Sequence, residues 1–277
     1  MITKGELQRL AAQASVQVEL QERDYILGWF LLELARTPDL NQILVFKGGT
    51  ALRKTYFPAY RFSEDLDFTL VQPIGEKDLQ AGVETVCRRV EDASGVQMWV
   101  ALWKQARQIA DEEAYRVRIA YIGPLGRLGS EPPRITLDLT RYELLVLPAL
   151  RRPIIHPYSD RPPEPRQVLV YRLEEMLAEK LRTLLQRCYP RDLYDVWYLL
   201  KHYGEHLDRP LLLHTLEEKC SYKGYAFSSA DDFLLPARRV GMSDAWSSSL
   251  QRLVPSLPSY EAMVEELQIL LANWLER

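Results

Sequence analysis

The chain is poor in residues that would staple or anchor it. Its 277 residues include three cysteines, Cys87, Cys188 and Cys220. They are spaced too widely for a disulfide framework or a zinc site, and that usage fits a reducing cytoplasm. Histidine is scarce at four. His202 and His206 have the i, i+4 spacing that can hold a metal, but Gly204 lies between them and no third ligand is near. No apolar run reaches the roughly 20 residues that cross a bilayer. Lys4, Glu6 and Arg9 interrupt the first segment, which therefore does not read as a signal peptide. No membrane partner is expected, and the expected location is cytoplasmic. Neither sign of charge dominates: a net charge of −3 argues against coating nucleic acid by bulk electrostatics. Repeats and low-complexity tracts are absent.

What is present is ordinary globular usage, 47% hydrophobic and 26% charged, which excludes disorder as the main state. One local excess stands out. Between Arg151 and Arg191 nine Lys/Arg face five acids, a pattern that reads either as a solvated face or as a local basic groove.

Apolar spacing predicts helix over residues 5–36, ended by Thr37-Pro38. Ile43-Leu44-Val45-Phe46 reads as a short buried strand that stops at Gly48-Gly49, and a helix begins at once with Gly49 or Thr50 as cap. Leu66, Phe68 and Leu70 alternate with Asp65, Asp67 and Thr69, the period of a half-buried strand. Residues 77–93 read as helix; 96–102, 115–122 and 134–140 read as strands. A proline-rich loop over 151–166 marks a boundary. The remainder of the chain reads as helical, with the last helices at 211–219 and 259–275. The expected fold class is α+β: a mixed sheet flanked by helices over residues 1–152, then a helical domain over 153–277.

The chemistry concentrates in FKGGTALRKTYFPAYRFSEDLDF, Phe46 to Phe68. Glycine allows a phosphate to approach the backbone with no Cβ in the way, and a helix N-terminus offers N–H donors and partial positive charge. On a strand, Asp65 and Asp67 share one face. Two adjacent carboxylates repel unless a cation lies between them, and hard oxygen ligands suit Mg²⁺ or Mn²⁺. Each half is weak alone, since Gly-Gly is most often a turn and Asp-x-Asp a solvated strand face; the strand–GG–helix–loop–DxD order is far more specific. Asp138, alternating with Leu137 and Leu139, is a third metal-ligand candidate or a plain surface aspartate. Arg61 and Ser63 could contact phosphate or orient the strand, and Lys54 is another candidate for phosphate contact.

In the helical part, Lys180 lies beside the stripe Leu173, Leu177 and Leu181, where it could lean over a cleft or extend to water. Arg191 and Asp195 have the spacing of a helical ion pair, and Asp192 could cap that helix. Tyr194 and Trp197 read as core.

The diglycine and DxD pattern resembles the polymerase-beta-like nucleotidyltransferase superfamily. With QERDYILGWFL at Gln21–Leu31 and the EEMLAEKLRTL…RDLYDVW helices, it resembles the AbiEii/AbiGii toxin family, which includes MenT-like toxins. The resemblance spans about residues 1–200. It implies a nucleotidyltransferase-like α+β fold and Mg²⁺-dependent transfer from an NTP seated at Gly48, Gly49 and Thr50. It also implies Asp65, Asp67, Lys180 and Asp195 as active-site residues, with Arg191 and Asp192 as supports. The acceptor it implies is RNA, the tRNA 3′ end, with the basic excess meeting acceptor-stem phosphates. The implied partner is an antitoxin, an AbiEi-like winged-helix protein. A small-molecule nucleotidyltransferase of the antibiotic-modifying kind and a non-catalytic NTP- or antitoxin-binding module remain as alternatives.

Overall fold

The computed structural model describes residues 1–107, 113–126, 131–235 and 240–275. It divides into two compact units. One contains Met1–Glu143 and Ala149–Val170; the other contains Leu144–Pro148 and Tyr171–Arg277.

The first unit is built on a seven-stranded mixed sheet of order β3-β4-β5-β2-β1-β7-β6. Its strands are β1 (Leu44–Lys47), β2 (Asp65–Leu70), β3 (Gln97–Arg107), β4 (Glu113–Ile122), β5 (Arg134–Arg141), β6 (Leu150–Pro153) and β7 (Gln167–Val170). β1 pairs antiparallel with β2 and parallel with β7, while β2 and β5 are parallel. Leu66 and Phe68 are fully buried, and Phe68 stacks on its register partner Phe46 at 4.9 Å. Burying that apolar side aims the aspartates of the alternate positions at the opposite face.

The helices of this unit are α1 (Lys4–Gln13), α2 (Val18–Leu34), α3 (Pro38–Asn41), α4 (Gly48–Ala51), which runs on as one π-helical turn over Leu52–Tyr56, and α5 (Glu76–Ser94). The single helix expected over 5–36 is two, because Ser15 adopts φ 53° and breaks the ladder. A non-glycine residue in that region is uncommon, so periodicity alone runs through it. The expected loop at 151–166 begins inside a strand, β6, and the segment after it, expected to be helical, opens with a strand, β7, which pairs with β6 and β1. The chain passes between the two units at Glu143/Leu144, Pro148/Ala149 and Val170/Tyr171.

α2 is buried nearly all round, yet it carries Gln21, Glu22, Asp24 and Glu33. Each of these is bonded. Gln21 donates to the Tyr158 hydroxyl at 2.8 Å, and Glu22 accepts from the Leu125 N–H at 2.8 Å. Glu33 pairs with Arg166 and Arg36. Asp24 accepts from Arg53 Nε at 2.8 Å, Lys54 Nζ at 2.6 Å and Tyr158 Oη at 2.7 Å. Burial alone would raise the Asp24 pKa, but the Lys54 and Arg53 cations and these hydrogen bonds hold it below the carboxylate range. Asp24 thus joins α2 to the helix after the diglycine and to the 154–160 segment.

The second unit contains α6 (Leu173–Gln186), α7 (Pro190–Tyr203), α8 (Arg209–Tyr222), α9 (Met242–Leu250) and α10 (Tyr260–Leu275). Inside it Glu175, fully buried, accepts from the Val146 and Leu147 N–H groups at 3.1 and 2.8 Å and pairs with Lys219 at 2.8 Å. Lys219 donates in turn to the Leu144 carbonyl at 2.9 Å. This buried pair fastens the short 144–148 segment to α6 and α8.

Asp24→Ala would strip the buried Lys54 ammonium of its carboxylate and take one partner from Arg53, and the expected loss is about 3–5 kcal/mol of stability, read from the denaturant midpoint. Because the folded-state pKa of Asp24 is depressed from 3.8, its contribution is complete above that pH and drains away as pH falls below it. Asp24→Ala should accordingly flatten the acid limb of the stability–pH curve.

Candidate active site

The site starts with glycine geometry. Gly48 has φ 79°, and a Cβ there would stand 2.6 Å from Asp67 Oδ2. A Cβ on Gly49 would stand 2.6 Å from an Arg61 guanidinium nitrogen. The two glycines therefore receive, respectively, a carboxylate and a guanidinium that any side chain would displace. Thr50 locks the turn to β2 by donating its hydroxyl to the Asp65 carbonyl. The cap of α4 is Lys47, not Gly49 or Thr50.

Asp65 and Asp67 are half-buried on one face of β2. In register with Asp67 stand Lys47 on β1 and Asp138 on β5. Lys47 pairs with Glu143, which also accepts from Thr69 Oγ1 at 2.8 Å. Asp138 is gripped by Arg116 of β4, with Nε and Nη2 at 2.8 and 3.0 Å from its two oxygens. The Asp138 hydrogen bonds, and then the charges of Asp138, Asp65 and Asp67, raise the Arg116 pKa. The structure thus brings Gly48, Gly49, Thr50, Arg61, Asp65, Asp67 and Asp138 together in one unit.

Two expectations change. Lys54 does not face a phosphate site: it is 1% exposed and its ammonium is consumed by Asp24. Asp138 does stand beside Asp67, but both of its oxygens are bound by a guanidinium. Among the described residues, no group of three or more His, Cys, Asp or Glu side chains converges to hold a metal ion. The donor chemistry that fits a divalent cation is the Asp65/Asp67 pair, since Mg²⁺ is commonly held by one or two carboxylates plus substrate phosphates. Ser63 is buried just ahead of this pair, and its neighbour Glu64 pairs with Arg23.

In the helical unit, Lys180 Nζ lies 2.7 Å from Asp192 Oδ1 and 3.0 Å from Asp195 Oδ2, and Arg187 Nε reaches Asp192 at 3.2 Å. Asp195 is fully buried, whereas the Lys180 side chain keeps 16% of its surface in solvent. Lys180 is therefore a fixed, charge-supported ammonium and not a lysine trailing in water. Asp192 does not cap α7; Tyr189 occupies that position. Tyr194 and Trp197 are buried, as their reading as core requires.

The basic excess of 151–191 is largely spent inside the fold. Arg152 donates to the Thr55 carbonyl and lies over Tyr56, Arg166 pairs with Glu33, and Arg182 pairs with Glu179. Arg116 and Lys47 are the site residues that sequence reasoning missed. The signal for Arg116 was available: in AYRVRIAYI the arginines alternate with Val117 and Ile119, as Asp138 alternates with Leu137 and Leu139.

The arrangement of a strand, a diglycine turn, a short helix and a carboxylate dyad on the neighbouring strand is that of a nucleotidyltransferase fold. The solved structure of MenT4, nucleotidyltransferase toxin Rv2826c from Mycobacterium tuberculosis H37Rv, matches with a TM-score of 0.68 at 21% identity, covering 100% of this chain and 91% of that one. JHP933 from Helicobacter pylori matches with a TM-score of 0.55 at 20% identity, over 92% and 91% of the two chains. No curated protein matches by sequence. Residues 29–272 match the family described as nucleotidyl transferase AbiEii toxin, Type IV TA system. The chain belongs to the AbiEii nucleotidyl transferase toxin family.

Gly48→Ala tests the turn. The left-handed strain is worth roughly 1–2 kcal/mol, and the methyl must push the Asp67 carboxylate aside. The expected result is a modest fall in thermal midpoint with a loss of transfer activity of about a hundredfold or more, as misplacement of a catalytic group costs.

Proposed function

We propose that this toxin transfers a nucleotide from an NTP to an RNA acceptor, the 3′ end of tRNA, with release of pyrophosphate, in the bacterial cytoplasm. The observation that carries the reading is the fit of the Asp67 carboxylate against Gly48, which makes the diglycine turn and the carboxylate dyad a single site. The triphosphate is assigned to the partly exposed Gly48 end of the turn, with Gly49 and Thr50 buried behind it and the Arg61 guanidinium packed across Gly49. Asp65 and Asp67 would hold the divalent cation, Mg²⁺ or Mn²⁺, which would supply Lewis-acid stabilisation of the phosphoryl oxygens and lower the pKa of the acceptor hydroxyl. Asp138 joins that set only if Arg116 releases it. In the helical unit the family supports Lys180 and Asp195 as active-site residues, with Arg191 and Asp192 as supports, and Asp192 and Asp195 orient the Lys180 ammonium. The acceptor oxygen attacks the α-phosphorus, the bond to the bridging oxygen breaks, and pyrophosphate leaves with the electron pair while the hydroxyl proton passes to water.

The family membership supports a co-encoded antitoxin as partner, and an AbiEi-like winged-helix protein suits that role. No helix among the described residues is long and apolar enough to cross a membrane.

The test is incubation with total tRNA, or with an aminoglycoside, and each labelled NTP in turn. Label should enter the tRNA and not the drug, and chelation of divalent cations should stop it. Asp67→Asn should abolish incorporation, with an unchanged circular dichroism spectrum. Undiminished incorporation by Asp67→Asn would refute the site, and label entering only the drug would refute the acceptor.

A further inference from the structure

The apolar side of the sheet is buried, and the alternation that turns Asp65 and Asp67 outward continues across its neighbours. Register sets out the rows. Asp67 pairs with Asp138, Asp138 with Arg116, and Arg116 with Lys104 of β3. One row along, Asp65 pairs with Thr136, Thr136 with Arg118, and Arg118 with Leu102. Beyond a bulge between Val100 and Leu102, Trp99 pairs with Ala120 and joins the same face. That face is graded. Its inner end carries the carboxylates, while its outer end on β3 and β4 carries Lys104, Arg116 and Arg118, all exposed, with Trp99 41% and Leu102 45% exposed among them. Strands lie about 5 Å apart, so the outer cations stand roughly 10–15 Å from the dyad, a distance of two or three strands.

A large aromatic left in water at a sheet edge, interleaved with cations, is an odd feature for a solvated surface. It suits a single-stranded nucleic acid: the cations track the phosphates and the indole face stacks a base. The carboxylate end would repel phosphates in the absence of a divalent cation. A strand on this face therefore has one favourable polarity, with its chain over β3 and β4 and its terminal hydroxyl at the dyad. The 151–191 segment is the alternative basic surface, but it has committed Arg152, Arg166, Lys180, Arg182 and Arg187 to internal partners.

We infer that the exposed β3–β4 face, through Trp99, Lys104 and Arg118, is the docking surface for the single-stranded 3′ end of the RNA acceptor. This rests on the proposed function and locates its acceptor. The face is selective for a single strand, because stacking on Trp99 needs an unpaired base.

The experiment uses the full chain and a short fluorescein-labelled RNA with a free 3′ hydroxyl, followed by anisotropy over a salt series. Trp99→Ala and Arg118→Gln are each expected to weaken binding by about tenfold. Trp99→Phe should restore most of the loss. Arg118→Gln and Lys104→Gln should each lower the salt slope by about 0.7. Binding of trinitrophenyl-ATP should be unchanged in all four, and a matching RNA duplex should compete poorly. If wild-type protein binds and labels the RNA while these variants bind it equally well, the docking surface is wrong and the proposed function stands. If wild-type protein neither binds nor labels RNA, the proposed function fails and this surface with it. If the variants lose only a co-expressed protein partner and keep their RNA affinity, the face is a protein interface and the inference is overturned.

Discussion

The carboxylate of Asp67 rests where a side chain at position 48 would stand, and the site is built around that contact. It demands glycine at Gly48, in a left-handed conformation, at the end of β1. It sets the start of α4 against β2. The Thr50 hydroxyl bonded to the Asp65 carbonyl repeats the connection nearby. Arg61 across Gly49 closes the arrangement with a positive charge. One turn therefore joins the diglycine to the carboxylate pair of β2.

Around this core, charge is fixed by pairing at several distances from the site. Asp24 is the anchor below it: a buried acid that holds Arg53 and Lys54 from the helix after the diglycine and Tyr158 from the distant loop. Breaking it would loosen the platform on which Gly48 and Gly49 sit. Lys180 is the counterpart in the helical unit, an ammonium between two buried acids. An ammonium so paired is held in one orientation. Glu175 and Lys219 play a purely structural version of the same part, since their charges close on backbone groups of 144–148 and on each other.

Much of this is legible in the residue pattern. The strand before the diglycine, the DLDFTL strand and helix α5 fall within a residue or two of their expected limits, because alternation and apolar runs report burial directly. So does the order of the chemistry-bearing residues. The departures have specific causes. Ser15 breaks a helix with no glycine or proline to announce it, and β6 and β7 flank a proline-rich segment and join the sheet through β1, more than a hundred residues upstream of β7. Lys54 misleads because a lysine one turn past a diglycine turn looks functional until its buried partner, about thirty residues upstream, is known.

The sequence by itself determined the local elements around the dyad and which residue types were available for metal, phosphate and acceptor, since periods of two and 3.6 residues and the freedom of glycine are properties of the chain alone. Only the tertiary structure decided the allocation of charge: Lys54 to Asp24, Asp138 to Arg116, Lys180 to Asp192 and Asp195, and the basic run of 151–191 to internal partners. Pairing depends on which residues the sheet register and helix packing bring within a few ångströms, and that is set by contacts between segments remote in the chain.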